Sequence, residues 1–132
     1  TAIYTVLVDG DDMSEPIADT VRGILDGHIV LSRKIAHKNV YPAVDVLQSV
    51  SRVFTEVATK EHRGYNNKLR EVLSTYRDNE DLINIGAYQR GANPKVDYAI
   101  AKIDQVQDFL RQDVYEKDTF DDMFVKLKAI FS

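Results

Sequence analysis

The fold of this chain is decided by a long charged segment, KEHRGYNNKLREVLSTYRDNEDLINI, which occupies residues 60–85. Apolar and aromatic side chains recur within it at intervals of three and four residues: Tyr65, Leu69, Val72, Leu73 and Tyr76. This interval places them on one face of an α-helix, with the charged residues on the other. The segment therefore predicts a long amphipathic helix, and Asp78-Asn79 is a place where that helix can break and restart.

Two further helices are predicted after the long one. Asn93 suits an N-cap and Pro94 a first helical turn, and a loop is expected from Gly86 to Asn93. The side chains predicted to face inward from this helix are Val96, Ile100, Ile103, Val106 and Leu110. Thr119 and Asp122 resemble a capping box that begins a last helix. Its apolar face carries Phe120, Met123, Phe124, Leu127, Ile130 and Phe131.

The residues before the long helix alternate between strand and helix patterns. The opening run 1–8 is rich in β-branched and aromatic residues, which predicts a strand covered on both faces. Ser14 and Pro16 indicate a helix start and Gly27 its end. The predicted inward face of this helix is Ile17, Val21, Ile24 and Leu25. A strand at 28–31, one or two helical turns at 32–38, and a strand or loop at 43–53 complete the pattern of an α/β sheet edge.

The change in sequence texture near residues 54–60 predicts a domain boundary. We expect residues 1–57 to form an α/β fragment and residues 58–132 to form an all-α C-terminal helical bundle of three or four helices. A buried strand is predicted at the first residue, and no initiator Met precedes it. We therefore expect the chain to be a piece of a longer protein.

Composition excludes several functional classes. The 132 residues carry a formal net charge of −4, which is not the electrostatic pattern of a general nucleic-acid-binding protein. The chain has no Cys, which excludes disulfides, thiolate zinc sites and Cys nucleophiles and suits the cytosol. No apolar run approaches the ~20 residues that span a bilayer, and no signal-peptide pattern opens the chain.

Familiar catalytic and metal-binding motifs are also missing. The spacing of Gly86 and Gly91 is the nearest approach to a phosphate-binding loop, but no Lys follows it. The three histidines lack metal-ligand spacing, so we expect no metal site. The acidic run at residues 9–12 lacks the Gly and Glu positions of a calcium-binding loop. Its carboxylates are better explained as neighbours of a helix N-terminus.

Two residues between the predicted elements have chemistry of their own. Tyr41 is followed by Pro42, so its ring is held rigidly and is suited to stacking on a base. Arg52 follows two small hydroxyl residues at the end of an apolar segment. By general base rates, a half-buried Tyr and a surface Arg are the commoner explanation. From residue chemistry alone both interpretations stay open.

These residues also carry a family resemblance. The matching blocks are YTVLVDGDDMSEPIAD at 4–19, ILDGHIVLSR at 24–33, YPAVDVL at 41–47 and SVSRV at 49–53. They resemble the flagellar protein-export ATPases, which are relatives of the rotary ATP synthase catalytic subunit and of the virulence type III secretion ATPases. The block YRDNEDLINIGAY at 76–88 is more similar to the flagellar branch than to the others.

The resemblance implies a homo-hexameric, RecA-like ATPase that hydrolyses ATP with Mg²⁺ to drive flagellar type III protein export. Residues 1–57 then correspond to the end of the RecA-like nucleotide-binding domain, and the phosphate-binding loop, the magnesium-coordinating strand and the catalytic Glu precede Thr1. Tyr41 matches the aromatic residue that packs on adenine, and Arg52 matches the arginine finger that reaches a neighbour's nucleotide in trans. A second aromatic near adenine corresponds most closely to Val114, with Tyr115 beside it, and is not assigned.

The resemblance further implies partners and a location. The loop at 86–97, with Gln89 and Arg90, corresponds to the segment that touches the central stalk, although a plain connector is the alternative. The implied partners are a stalk-like flagellar export chaperone, an ATPase regulator and export-gate proteins, with no nucleic acid. The implied location is cytoplasmic, peripheral at the inner face of the cell membrane through those partners. The alternatives are a virulence secretion ATPase, or an isolated helical docking module that is inactive because it lacks the phosphate-binding loop.

Overall fold

The computed structural model describes all residues from Thr1 to Ser132. The first half contains a 3₁₀ turn at Asp9–Asp11, helix α1 at Pro16–Ile24, strand β1 at Gly27–His28, helix α2 at Arg33–His37, strand β2 at Val50–Ser51 and helix α3 at Phe54–Val57. The second half contains helix α4 at Lys60–Asn84, helix α5 at Pro94–Leu110 and helix α6 at Phe120–Ile130. The chain is thus a small α/β segment followed by an all-α bundle, as the sequence predicts.

Each long helix begins at a polar side chain that closes its first turn. The Thr59 hydroxyl accepts a hydrogen bond from the His62 N–H at 3.1 Å. Asn93 Oδ1 accepts from the Lys95 N–H at 3.0 Å, and the Thr119 hydroxyl accepts from the Asp122 N–H at 3.1 Å. These contacts satisfy N–H groups that have no partner within the helix. The predicted caps of α5 and α6 are therefore confirmed.

The bundle core lies between α4, α5 and α6. Seven apolar side chains form one buried cluster: Leu69, Val72, Ala99, Ile103, Val106, Leu127 and Ile130. They recur at helical spacing along each element, so burial of one face per helix supplies most of the stability of the bundle. None of these helices combines the length and apolar character needed to cross a bilayer.

The long helix α4 does not restart at Asp78-Asn79. It continues unbroken from Lys60 to Asn84. The Asn79 side-chain amide donates to the Thr75 carbonyl at 2.8 Å, one turn earlier in the same helix. Because this polar group is satisfied inside the helix, it does not compete with the backbone for the bonds that continue it.

The small sheet joins two short antiparallel strands. Gly27 is paired with Ser51 and His28 with Val50, and an isolated bridge joins Leu31 to Val44. A Cβ atom at Gly27 would lie 2.7 Å from the Val50 carbonyl oxygen, so the close approach of β2 requires glycine there. The expectation that Gly27 ends the preceding helix is therefore wrong, because α1 ends at Ile24 and Gly27 begins β1.

The predicted strand at residues 1–8 is absent from the structure. This segment has no regular secondary structure, and Ile3 and Leu7 are 94% and 92% exposed. None of its backbone groups is hydrogen-bonded to the rest of the chain. A strand exists only when a neighbouring strand pairs with its N–H and C=O groups, and the described residues offer none.

Helix α1 differs from prediction at its start and on its apolar face. The cap is Glu15 and not Ser14, because the Glu15 carboxylate accepts from the Ile17 and Ala18 N–H groups, each at 3.3 Å. Ala18 is buried, but Ile17 and Ile24 are 65% and 76% exposed. The predicted inward face is therefore covered only in part. The same is true of Phe120 at the start of α6, which is 64% exposed.

Candidate functional site

Tyr41 lies in the turn between α2 and the Val44 bridge. Its side chain is 55% exposed, which leaves the ring accessible to a ligand. Its backbone carbonyl accepts a hydrogen bond from the Gln112 N–H at 2.9 Å. The chain just after α5 is thereby bonded to the turn at Tyr41, and Val114 and Tyr115, which follow Gln112, have exposed side chains. No aromatic partner for the Tyr41 ring is present among the ring pairs of the structure.

Asp45, four residues after Tyr41, is the one buried charged residue of the chain. Its Oδ1 atom accepts from the Leu47 N–H at 3.1 Å, from the Gln48 N–H at 3.2 Å and from the Arg77 guanidinium at 3.1 Å. Its Oδ2 atom accepts from the Gln48 side-chain amide at 3.1 Å. A buried carboxylate is tolerated when its oxygens are hydrogen-bonded and paired with a cation, and both conditions are met here.

Sequence reasoning did not single out Asp45 as a structural centre. The available signal was a carboxylate inside the apolar stretch 43–53, where charge is costly unless a partner lies nearby. The partner, Arg77, is 32 residues away in the chain. Its identity follows only from the way α4 packs against this turn.

Arg52 follows β2 and is exposed. Its backbone N–H donates to the Asp26 carbonyl at 2.8 Å. Its guanidinium donates to the Arg22 carbonyl at 3.1 Å and reaches the Gly23 carbonyl at 3.4 Å. These carbonyls belong to the last turn of α1, where backbone oxygens lack partners within the helix and attract cations. Arg52 therefore rests on neutral acceptors and has no carboxylate partner.

Tyr41 and Arg52 thus lie at the two ends of one segment, residues 41–52, with the buried Asp45 between them. Their side chains are not hydrogen-bonded to each other. An exposed aromatic ring and an exposed guanidinium are groups that fit a nucleotide base and a phosphate, respectively. Both groups therefore belong to one stretch of backbone, residues 41–52, which contains the buried Asp45.

Gln89 and Arg90 lie on a separate loop between α4 and α5, and both are exposed. The loop turns at Gly86 and Gly91, which have φ values of 71° and 92° that favour glycine. Beneath the tip, the Tyr88 hydroxyl donates to Asp97 Oδ1 at 2.7 Å, and Asp97 Oδ2 accepts from the Gly91 N–H at 2.9 Å. The loop is therefore anchored to the first turn of α5.

The electrostatics of the loop follow from the same contacts. The pKa of Tyr88 is raised, first because its hydroxyl is partly removed from water and then because it donates to the Asp97 carboxylate. The same hydroxyl accepts from the Asn93 N–H at 3.2 Å. The neutral phenol thus fastens the loop, and Gln89 and Arg90 are held at its tip.

His62 and the acidic run have structural partners. The His62 ring meets Phe54, Phe120 and Phe124 edge-on, at centroid distances of 5.3, 5.5 and 5.5 Å, and so joins α3, α4 and α6. In the acidic run, Asp12 Oδ1 accepts from the Ser14 N–H at 2.9 Å, just before α1.

Two family models match consecutive parts of the chain. Residues 1–51 match the model described as the ATP synthase alpha/beta family, nucleotide-binding domain, and residues 58–129 match the T3SS EscN ATPase C-terminal domain. The second match covers more than half of the chain. The chain belongs to the family of the T3SS EscN ATPase C-terminal domain.

Full-length members of this family are similar along nearly the whole chain. The flagellum-specific ATP synthase of Bacillus subtilis (strain 168) is 55% identical over 130 residues, which are 98% of this chain and 30% of that protein. The type 3 secretion system ATPase of Pseudomonas savastanoi pv. phaseolicola is 50% identical over 116 residues, which are 88% of this chain and 26% of that protein. The chain thus spans about a third or less of the length of these relatives.

Solved structures of the family have the same fold. The assembled ATPase EscN from the type III secretion system of enteropathogenic E. coli superposes with a TM-score of 0.95 at 39% identity, and covers 100% of this chain and 32% of the EscN chain. EscN in complex with its central stalk EscO gives a TM-score of 0.83 at 38% identity, with 89% of this chain and 29% of the EscN chain covered. The RecA-like end followed by a helical domain is therefore the fold of this chain, as the sequence resemblance implied.

Proposed function

We propose that this chain is the C-terminal part of an ATPase that hydrolyses ATP to drive flagellar type III protein export. The observation that carries the proposal is the pair of exposed groups, Tyr41 and Arg52, at the two ends of one supported segment. Family membership and the similarity to the flagellum-specific enzyme support the reaction and the export system. The division into residues 1–57 and 58–132 is part of the proposal, and the family matches at residues 1–51 and 58–129 support it.

In this proposal Tyr41 packs on the adenine of its own subunit, and Arg52 acts on the nucleotide of a neighbouring subunit. Transfer of the γ-phosphoryl group spreads negative charge over its oxygens, and an arginine placed there can contribute about 10³–10⁵ in rate. The exposed guanidinium of Arg52 rests on neutral carbonyls at 3.1 and 3.4 Å, so no carboxylate has to be displaced when it moves to a phosphate. In this proposal Mg²⁺ and the phosphates of the bound ATP are held mainly by residues outside this chain.

The test of this proposal is an Arg52→Ala variant of the full-length protein. We expect nucleotide binding to be retained and assembly-dependent ATP hydrolysis to fall by about 10³-fold or more. Arg63→Ala is a matched control, because the Arg63 guanidinium also donates to a backbone carbonyl, that of Thr55, at 2.6 Å. Unchanged hydrolysis in the Arg52 variant, or equal loss in both variants, contradicts the role of Arg52.

We propose that the full-length protein works as a homo-hexamer whose stalk-like partner contacts Gln89 and Arg90. The assembled EscN structure and the EscN–EscO complex support a ring and a stalk for this family. The loop is pre-ordered by Tyr88 and Asp97, which lowers the entropic cost of docking. A pull-down with the stalk-like export protein is expected to weaken in Arg90→Ala and Gln89→Ala and to stay unchanged in the exposed control Lys117→Ala.

A virulence secretion ATPase is the second candidate, favoured by the family model and by the TM-score of 0.95 to EscN. The chemistry is the same, and only the exported proteins differ. Deletion of the gene in its own organism separates the two. Loss of flagella and motility supports the flagellar function, whereas normal motility with loss of effector secretion supports the virulence function. The location that goes with either is cytoplasmic, at the inner face of the membrane through partners.

A further inference from the structure

We propose that Arg70 and Arg77 of α4, with Asp45, are positioning residues that fix the 41–52 segment and so set the places of Tyr41 and Arg52. The inference rests on the proposed ATPase function and deepens it. It assigns to the helical domain a direct part in aligning the nucleotide-contacting groups.

The geometry begins with one stripe of α4. Arg70, Leu73, Arg77 and Glu80 are spaced by three, four and three residues, which places them on one helical face. Each polar member of the stripe contacts the segment 38–47. Arg70 donates to the Val46 carbonyl at 2.7 Å and to the Leu47 carbonyl at 3.1 Å. Arg77 donates to Asp45 Oδ1, and Glu80 accepts from the Lys38 ammonium.

Apolar packing supports these polar contacts. Val46 and Leu73 both pack against the buried core cluster of the bundle. The segment 45–47 is therefore bound through its side chains, through its backbone carbonyls and through apolar burial. Of all the contacts between the α/β segment and the bundle, these lie nearest to the middle of the 41–52 segment.

Asp45 also links α4 to the residues next to the small sheet through hydrogen bonds. Its backbone N–H donates to the Val30 carbonyl at 2.8 Å, and its carbonyl accepts from the Ser49 hydroxyl at 2.7 Å. The Ser49 hydroxyl in turn accepts from the Val30 N–H at 3.0 Å. Asp45 is thus bonded both to α4 and to Val30 and Ser49, which lie next to β1 and β2. A shift of α4 therefore displaces the segment that carries both groups.

Arg77 supplies the cation that pairs with the buried Asp45 carboxylate. The Asp45 side chain is only 6% exposed, whereas that of Arg77 is 44% exposed. Loss of the guanidinium leaves a buried carboxylate without its cation, although three hydrogen bonds from Leu47 and Gln48 remain. We expect the turn to persist and its placement against α4 to loosen.

The experiment compares Arg77→Met, Arg77→Lys and Asp45→Asn in the full-length protein. Methionine keeps the apolar length of the side chain, lysine keeps the charge, and asparagine keeps an oxygen for the Leu47 and Gln48 N–H groups. Glu71→Gln is the matched control, because Glu71 lies on α4 outside the stripe and forms an exposed ion pair with Lys95 at 3.4 Å.

For Arg77→Met we expect kcat to fall about tenfold or more and the KM for ATP to rise, with the protein still folded at the assay temperature. Asp45→Asn should reproduce these changes, and the double variant should be no worse than either single one, because the two residues act through one contact. Arg77→Lys should recover part of the loss. Hydrogen exchange of a peptide covering residues 41–52 should accelerate in Arg77→Met and not in Glu71→Gln.

Two results overturn the proposal. One is an Arg77→Met enzyme with a lower melting temperature but unchanged kcat, KM and exchange of residues 41–52, which indicates a purely structural ion pair. The other is additive losses in the double variant, which indicates independent roles. If the wild-type full-length protein has no ATPase activity, the proposed function is contradicted. In that case the hydrogen exchange of residues 41–52 still tests whether the α4 contacts fix this segment.

Discussion

The Tyr41 carbonyl accepts a hydrogen bond from the Gln112 N–H at 2.9 Å, which ties the turn between α2 and the Val44 bridge to the chain just after α5. The contact joins the two halves of the molecule on the side where the Tyr41 ring is exposed. Val114 and Tyr115, which follow Gln112 in the chain, are 87% and 89% exposed. The surroundings of Tyr41 are therefore built from both halves of the chain.

The first prediction concerns the Tyr41 ring. In the full-length protein, Tyr41→Ala is expected to raise the KM for ATP by about tenfold, because stacking of a base on an aromatic ring contributes about 1–3 kcal/mol. Steady-state ATPase kinetics measure the change. Tyr41→Phe is the control and should retain a KM near that of the wild type, since it keeps the aromatic face and loses only the hydroxyl. Equal KM values for the Ala and Phe variants contradict a stacking role.

The second prediction concerns the anchor of the 86–93 loop. Because the folded state raises the pKa of Tyr88 above the ordinary value of a tyrosine, the neutral phenol is favoured by folding. Its stabilising effect is complete below the unfolded pKa of about 10 and is lost as the pH rises through the folded pKa. Absorbance titration should show one tyrosine that ionises later than the others, and that tyrosine should be absent from Tyr88→Phe. A late-ionising tyrosine that persists in Tyr88→Phe rules out this assignment.

The third prediction concerns the bundle core. Leu127 is 3% exposed on α6, whereas Val125 on the same helix is 67% exposed. Leu127→Ala is expected to lower the free energy of unfolding by about 2–5 kcal/mol, because it removes buried methyl groups and leaves a cavity. Val125→Ala should change it by less than about 0.5 kcal/mol. Urea unfolding followed by circular dichroism measures both, and similar losses in the two variants would show that α6 is packed differently.

The fourth prediction separates two glycines. Gly27→Ala is expected to destabilise the small sheet, because the new Cβ atom would meet the Val50 carbonyl oxygen at 2.7 Å. Gly64 lies in the interior of α4, and a Cβ atom added there would meet no neighbouring atom within 4 Å. Gly64→Ala is therefore expected to raise the free energy of unfolding by about 0.5–1 kcal/mol, because alanine has the higher helix propensity. Thermal unfolding of the two variants should therefore shift in opposite directions. A stabilising Gly27→Ala would contradict the close approach of β2.

Local patterns predicted the elements whose causes are local. The helix caps at Asn93 and Thr119 depend on N–H groups two or three residues away, so the sequence alone locates them. The error at residues 1–8 has a cause that lies beyond the local chain. Residues 1–8 have the composition of a strand, but no backbone group of this chain pairs with them. Composition shows that a segment can form a strand, but the strand forms only when a second strand pairs with it.

The sequence by itself determined the amphipathic helices, their caps and the motif residues Tyr41 and Arg52, because these depend on side-chain type and spacing along the chain. Only the tertiary structure decided that Asp45 is buried against Arg77 and that Tyr41 is bonded to Gln112. Both contacts join residues more than 30 positions apart. Their formation depends on how α4 and the end of α5 lie against residues 41–47, which no short-range pattern encodes.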